Sequence, residues 1–188
     1  MQGSDAVQSG THSANTPRLH YSTTPLPPSP SRILVVKPSS LGDVIHAVPA
    51  VNLLRRRFPN AHLAWLVNDT LASLLRNCPF LDEVIPFPRD RFGRPSQWGE
   101  FRRFLHGLRR QQFDLVVDLQ GLFRSGLIAW GTRAPRRLGM SDAREGARLF
   151  YTEVARVPRI HAVDRCLVAA RHLGCDEGPI EFPIGPRG

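Results

Sequence analysis

The chain has 188 residues, enough for one domain with a full core, and its 41% hydrophobic and 22% charged residues match a globular protein. Its net charge of +9 comes almost wholly from arginine, Lys37 being the only lysine, and such a field draws polyanions: nucleic acid, an anionic membrane surface or a phosphorylated substrate. No apolar run approaches the roughly 20 residues that cross a bilayer, residues 1–31 lack the basic-then-apolar pattern expected of a secretory leader, and three scattered cysteines are expected to build neither a disulfide framework nor a metal knuckle. A cytoplasmic location and buried thiols at Cys78, Cys166 and Cys175 are expected.

Residues 1–31 are rich in Ser, Thr, Pro and Gly and carry almost no large apolar side chain, which predicts a disordered tail. From Arg32 the pattern alternates. Ile33 to Val36 is a short β-branched apolar run, as in a strand buried on both faces. Val44, Val48, Val51, Leu54 and Phe58 follow helical spacing, ending in the basic run Arg55 to Arg57, which suits a helix C-terminus. Pro49 interrupts this helix and predicts a late start or a kink.

His62 to Val67 reads as a second strand, Leu71 to Arg76 as a short helix and Glu83 to Pro86 as a third strand. After a loop from Pro88 to Ser96 comes a strongly basic helix, Gln97 to Gln111. Phe113 to Leu119 is the clearest later strand, Gly121 to Trp130 a helix, Arg137 to Leu138 a short strand, and Ala162 to Leu173 a final helix. Strands alternating with helices predict parallel pairing with right-handed crossovers, that is, an α/β fold with a Rossmann-like doubly wound parallel sheet over residues 32–182. Residues 183–188 read as the start of an interdomain linker.

The stretch Lys37-Pro-Ser-Ser-Leu-Gly-Asp-Val-Ile-His-Ala-Val-Pro49 joins the first strand to its helix, where open α/β sheets hold ligands. It is neither a dinucleotide fingerprint nor a P-loop. It offers two hydroxyls (Ser39, Ser40), a glycine (Gly42), a carboxylate (Asp43) and a helix N-terminus. On spacing alone the simpler reading is that Asp43 caps the helix and Gly42 permits the turn.

This stretch closely resembles the opening loop of the lipopolysaccharide heptosyltransferases, the family 9 glycosyltransferases. Phe113-Asp-Leu-Val-Val-Asp-Leu-Gln-Gly-Leu-Phe-Arg-Ser125 resembles the family's second signature strand and turn. Arg137-Leu-Gly-Met, Ala143-Arg-Glu and His161-Ala-Val-Asp-Arg165 resemble later segments, most like the heptosyltransferase I branch. The resemblance implies the N-terminal, acceptor-binding half of a two-domain GT-B enzyme, with a C-terminal donor domain not among these residues.

It further implies an inverting, metal-independent transfer of heptose from ADP-heptose to a lipopolysaccharide inner-core acceptor, with no cofactor or metal. The partners it implies are a phosphorylated glycolipid and a nucleotide-sugar, with peripheral contact at the inner face of an anionic membrane. Carried over residue by residue, Asp43 becomes the general base, since a sugar hydroxyl is a poor nucleophile until its proton is taken. Ser39 and Ser40 orient a substrate, Gly42 admits close backbone approach, and Lys37 contacts acidic groups, or else is a solvated strand-end lysine. His46 reads as a packed histidine. Gln120, Gly121 and Arg124 form an acceptor-binding turn, in which Asp118 reads rather as a structural cap.

The cluster Arg89, Arg91, Arg94, Arg102, Arg103, Arg109 and Arg110 is either a solvated face or a surface for a polyanionic acceptor. Two other functions stay open: a basic nucleic-acid module, though no RRM, KH, zinc or helix-turn-helix signature supports one, and a non-catalytic half that depends on a partner.

Overall fold

In the computed structural model, which describes residues 29–88, 97–158, 161–175, 179 and 181–183, six parallel strands form one sheet in the order β3-β2-β1-β4-β5-β6. They are β1 (Arg32–Val36), β2 (His62–Asn68), β3 (Glu83–Phe87), β4 (Leu115–Asp118), β5 (Arg136–Met140) and β6 (Glu153–Ala155). β1 sits between β2 and β4, with Ile33 paired to Leu63 on one side and Leu115 on the other. Ile33 to Val36 are all 0% exposed, as the unbroken apolar run requires. Burying each such side chain contributes about 1.5–3 kcal/mol, so this strand anchors both faces of the core.

The two faces follow the pleat. Ile33, Val35, Leu63, Trp65, Leu115 and Val117 point into a core closed by α1 (Leu41–Arg57) and α5 (Ala162–His172). Leu34, Val36, Ala64, Leu66 and Val116 point the other way, into a core closed by α3 (Trp98–Arg110) and α4 (Phe123–Gly131). The Asp69–Leu71 3-10 turn and α2 (Ala72–Leu75) lead into β3. The doubly wound parallel sheet is therefore the fold of this chain.

Several sequence expectations are corrected. α1 starts at Leu41 and continues as helix past the buried Pro49, which corrects the late start. Proline costs the helix one internal hydrogen bond, but Val48, Ala50 and Val51 bury the same turn in the core and hold it in place. The pair Arg137–Leu138 belongs to a five-residue strand, and β6 adds a three-residue strand too short to show a pattern in the sequence. Arg136 grips Glu153 with Nε and Nη2 at 2.7 and 3.0 Å, tying β5 to β6 by a charged fork the hydrophobic pattern does not register. All three cysteines are buried free thiols, as expected. The expected tail over residues 1–28, and Arg89, Arg91 and Arg94, lie outside the described residues. Ser31 is already anchored, its N–H and hydroxyl both donating to Asp114 Oδ2.

Candidate active site

From β1 the chain crosses one way to β2 and later returns on the other side as β4, so the C-terminal ends of β1 and β4 flank the switch point of the sheet. Two loops meet there: Lys37 to Ser40 leading into α1, and Leu119 to Leu122 leading into α4. Sheet-like bonds carry the first loop outward, with Lys37 N–H donating to Leu66 O and Asn68 N–H to Pro38 O. Leu119 N–H donates to Val36 O and brings the second loop alongside.

Asp118 ends β4 with 0% exposure. Its Oδ1 accepts the N–H groups of Gln120 (2.9 Å) and Gly121 (3.1 Å), and its Oδ2 accepts the Tyr151 hydroxyl at 2.7 Å. Burial pushes its pKa up, against the opposing pull of these hydrogen bonds. The structure thus gives Asp118 the capping role that its sequence context favours. Gly121 adopts φ +74°, and a Cβ there would stand 3.2 Å from Arg165 Nη2 and 3.3 Å from Ala143, so only glycine fits this turn without strain.

A cavity of about 350 Å³ opens at this point. Lys37, Asp43 and His46 line it from the β1–α1 side, Gln120 and Gly121 from the β4 turn, Asp142 and Arg144 from the segment after β5, and Arg165 and Cys166 from α5. Four predicted site residues, Lys37, Asp43, Gln120 and Gly121, are brought together here. Ser39 and Arg124 instead line a neighbouring hollow of about 200 Å³, and Gln120 is the wall common to both. Ser40 and Gly42 belong to neither wall. Gly42 lies inside α1 and a Cβ there would meet nothing within 4 Å, so the turn does not need glycine at this position.

Asp43 occupies the first turn of α1, where the positive end of the helix favours a carboxylate. Its Oδ2 accepts Ser40 N–H at 3.1 Å and lies 3.6 Å from Lys37 Nζ. Its Oδ1 takes no hydrogen bond among the described residues, and the side chain is 44% exposed. Asp43 therefore caps its helix with one oxygen and keeps the other open. The solvated alternative for Lys37 is corrected: its side chain is 6% exposed, folded back under the cavity toward Asp43.

Cations outnumber carboxylates around the cavity. Arg165 is fixed by a fork to Asp142, Nε to Oδ2 at 2.6 Å and Nη2 to Oδ1 at 3.0 Å, and by Nη1 to Leu119 O at 2.8 Å. The exposed Arg144 has no side-chain partner among the described residues. An anionic group entering the cavity meets one fixed guanidinium, one free guanidinium and a buried ammonium. Burial pushes the Cys166 thiol up, with Lys37 and Arg165 opposing, so it lines the cavity as a neutral wall and not as a thiolate nucleophile. Among the described residues no group of three His, Cys, Asp or Glu side chains is placed to hold a metal ion.

His46, Asp142, Arg144 and Arg165 join the site without having been singled out for it by the sequence. The stretches Ala143-Arg-Glu and His161 to Arg165 carry a signal for the two arginines. His46 lies one turn beyond Asp43 on α1, and its Nδ1 is buried without a partner among the described residues, which spacing does not reveal.

The doubly wound sheet with a charged cavity at its switch point is a Rossmann-like α/β lobe, and its solved structural neighbours are glycosyltransferases of the GT-B class. Residues 101–185 match the description of glycosyltransferase family 9 (heptosyltransferase). The chain is 41% identical over 146 residues to lipopolysaccharide heptosyltransferase 1 of Pseudomonas aeruginosa, covering 71% of this chain and 40% of that protein. It is 32% identical to the Escherichia coli protein of the same name over 71% of this chain and 44% of that one. Its fold superposes on E. coli heptosyltransferase WaaC with ADP-2-deoxy-2-fluoro heptose, at a TM-score of 0.68 and 30% identity, over 80% of this chain and 51% of that one. The chain belongs to the heptosyltransferase family and spans less than half the length of the curated relatives it matches.

Proposed function

We propose that this chain is the acceptor-binding lobe of an inverting, metal-independent glycosyltransferase that moves heptose from ADP-heptose to a phosphorylated glycolipid of the lipopolysaccharide inner core. Asp43 is its general base. The observation that carries this reading is the open Oδ1 of Asp43 in a cavity where Lys37, Arg144 and Arg165 await an anionic substrate.

The chemistry needs one carboxylate. Asp43 takes the proton of the acceptor hydroxyl as that oxygen attacks the anomeric carbon of the donor. The bond from that carbon to the diphosphate breaks on the opposite side, inverting the centre, and ADP leaves as an anion that needs charge stabilisation and no protonating acid. This differs from glycoside hydrolysis, where a pair of carboxyl groups is required. Lys37 Nζ, 3.6 Å from Asp43 Oδ2, holds the carboxylate in place as an ion-pair partner.

Within this reading Gln120 and Gly121 hold acceptor hydroxyls, Ser39 and Arg124 orient groups reaching the neighbouring hollow, and Ser40 positions Asp43 through its N–H. The backbone at Gly42 lies close to a substrate. Arg144 meets an acidic group of the acceptor. The nucleotide of the donor is held by a second lobe that these 188 residues do not supply.

The test is acceptor binding by this chain, and heptose transfer when it is joined to the C-terminal half of the P. aeruginosa relative. Asp43→Asn is expected to keep acceptor binding within a few-fold and to lose about 10²–10⁴ in turnover. Turnover near that of the parent overturns the base assignment.

A further inference from the structure

A separate groove of about 490 Å³ runs between α3 and α4, on the sheet face opposite α1 and α5. Arg102, Arg103, His106 and Arg109 of α3 line it, with Trp130 and Arg133 at the end of α4. α3 divides its side chains sharply. Phe101, Phe104, Leu105 and Leu108 turn to the core, while Arg102, Arg103, His106 and Arg109 are exposed. No carboxylate lines the groove, and the four arginine side chains have no ion pair or hydrogen bond among the described residues.

Trp130 is 57% exposed and Trp98, at the start of α3, is 64% exposed. Trp130 lines the groove and Trp98 stands four residues before Arg102 on α3; large indoles left in water there are costly for a surface that meets only solvent. Indole settles at the boundary between lipid headgroups and acyl chains, and guanidinium pairs with phosphate through parallel hydrogen bonds. None of the residues proposed to handle substrate belongs to this groove.

We infer that the α3–α4 groove is a docking surface for an anionic phospholipid bilayer, with the arginines on phosphate headgroups and Trp98 and Trp130 at the interface. The charge is complementary and the aromatic groups are of the interfacial kind. The choice of bilayer over nucleic acid rests on the lipid-borne acceptor proposed above. Docking by this face leaves the cavity at the strand ends free, because α4 runs from Gly131 in the groove back to Phe123, next to the Leu122 wall of the smaller hollow.

The experiment mixes the 188-residue chain, without donor or acceptor, with vesicles of phosphatidylcholine alone or with about a third phosphatidylglycerol. Sedimentation and tryptophan emission are read; Trp65 is fully buried, so any shift reports Trp98 and Trp130. Binding is expected only to the anionic vesicles, with a blue shift, and is lost as salt rises from about 0.1 to about 1 M. Arg102→Glu/Arg103→Glu is expected to weaken binding about tenfold or more, while the charge-matched Arg56→Glu/Arg76→Glu stays within about twofold. Trp130→Ala, a change outside the core, halves the shift and retains the melting temperature.

Equal loss in the two charge-reversed proteins, no preference for anionic vesicles, or tighter binding to a single-stranded RNA than to vesicles overturns the inference. Transfer to a delipidated acceptor measures the transferase reading separately, so failure of one is distinguishable from failure of the other.

Discussion

The Tyr151 hydroxyl donates to Asp118 Oδ2 at 2.7 Å, and through that buried carboxylate a residue between the last two strands holds the Gln120–Gly121 turn in place. The link joins the rim of the sheet to the floor of the cavity. Tyr151→Phe removes one of the donors to a fully buried carboxylate, at a cost of about 1–3 kcal/mol. A lower melting temperature and weaker acceptor binding are expected together. Unchanged stability refutes the link.

Gly139 lies under the ring of the same tyrosine. A Cβ at this position would collide with the Tyr151 ring, and a ring flanked by the strand has little room to retreat. Gly139→Ala is expected to destabilise by about 1–3 kcal/mol through overpacking. It also perturbs acceptor binding, as Tyr151→Phe does. The double variant with Tyr151→Phe should cost less than the two changes summed, since both break one contact; strict additivity rules that out.

Gly42 separates folding from function. Its Cβ space is empty and its backbone is helical, so Gly42→Ala is expected to stabilise the chain by about 0.4–1 kcal/mol. If substrate approaches this backbone, the same change raises KM for acceptor with kcat little altered. A variant both more stable and kinetically normal removes Gly42 from the substrate's path.

Arg144→Ala removes an unpartnered guanidinium and should leave the melting temperature unchanged. Acceptor affinity is expected to fall about tenfold, the worth of one charge-assisted hydrogen bond. An acceptor stripped of its acidic groups should bind parent and variant alike. A loss that persists with the neutral acceptor contradicts the anion-binding role.

The fork between Arg136 and Glu153 carries a pH signature. Hydrogen bonding from Arg136 holds the Glu153 carboxyl below its ordinary 4.5, with burial opposing and the nearby His172 adding to the pull. A carboxylate depressed in the folded state adds stability that is whole above its unfolded value and lost as pH falls through the folded one. The stability difference between parent and Glu153→Gln, followed by urea unfolding, should therefore persist near neutrality and shrink below about pH 4.5. A difference that stays level into acid means the pair contributes nothing to folding.

The centre of this molecule is legible along the chain and its edges are not. Ile33 to Val36 shows an all-apolar run because β1 is covered on both faces, and Leu115, Val116 and Val117 repeat that pattern in β4 for the same reason. The regularity extends no further. β5 opens with two arginines whose charges are met by Glu153 and by the Phe150 and Ala134 carbonyls, so its start does not look like a strand. β6 is too short to carry any period.

The site divides in the same way. Lys37, Asp43, Gln120 and Gly121 stand in or beside two strand-end loops that a parallel sheet must bring side by side, so topology alone predicts their meeting. Arg144 and Arg165 arrive through the packing of α5 on α1 and the turn after β5, contacts between segments far apart in the chain. The burial of Lys37 is illegible for the same reason, because the cover over a strand end is supplied by distant residues.

Gln120 is the partition between two hollows, and its hold on the opposite loop is slight: Oε1 accepts Ser39 N–H at 3.4 Å. A guest in either chamber that engages this amide takes it from the other. Two small guests that both bind it therefore hinder one another, and the two hollows are not independent of each other.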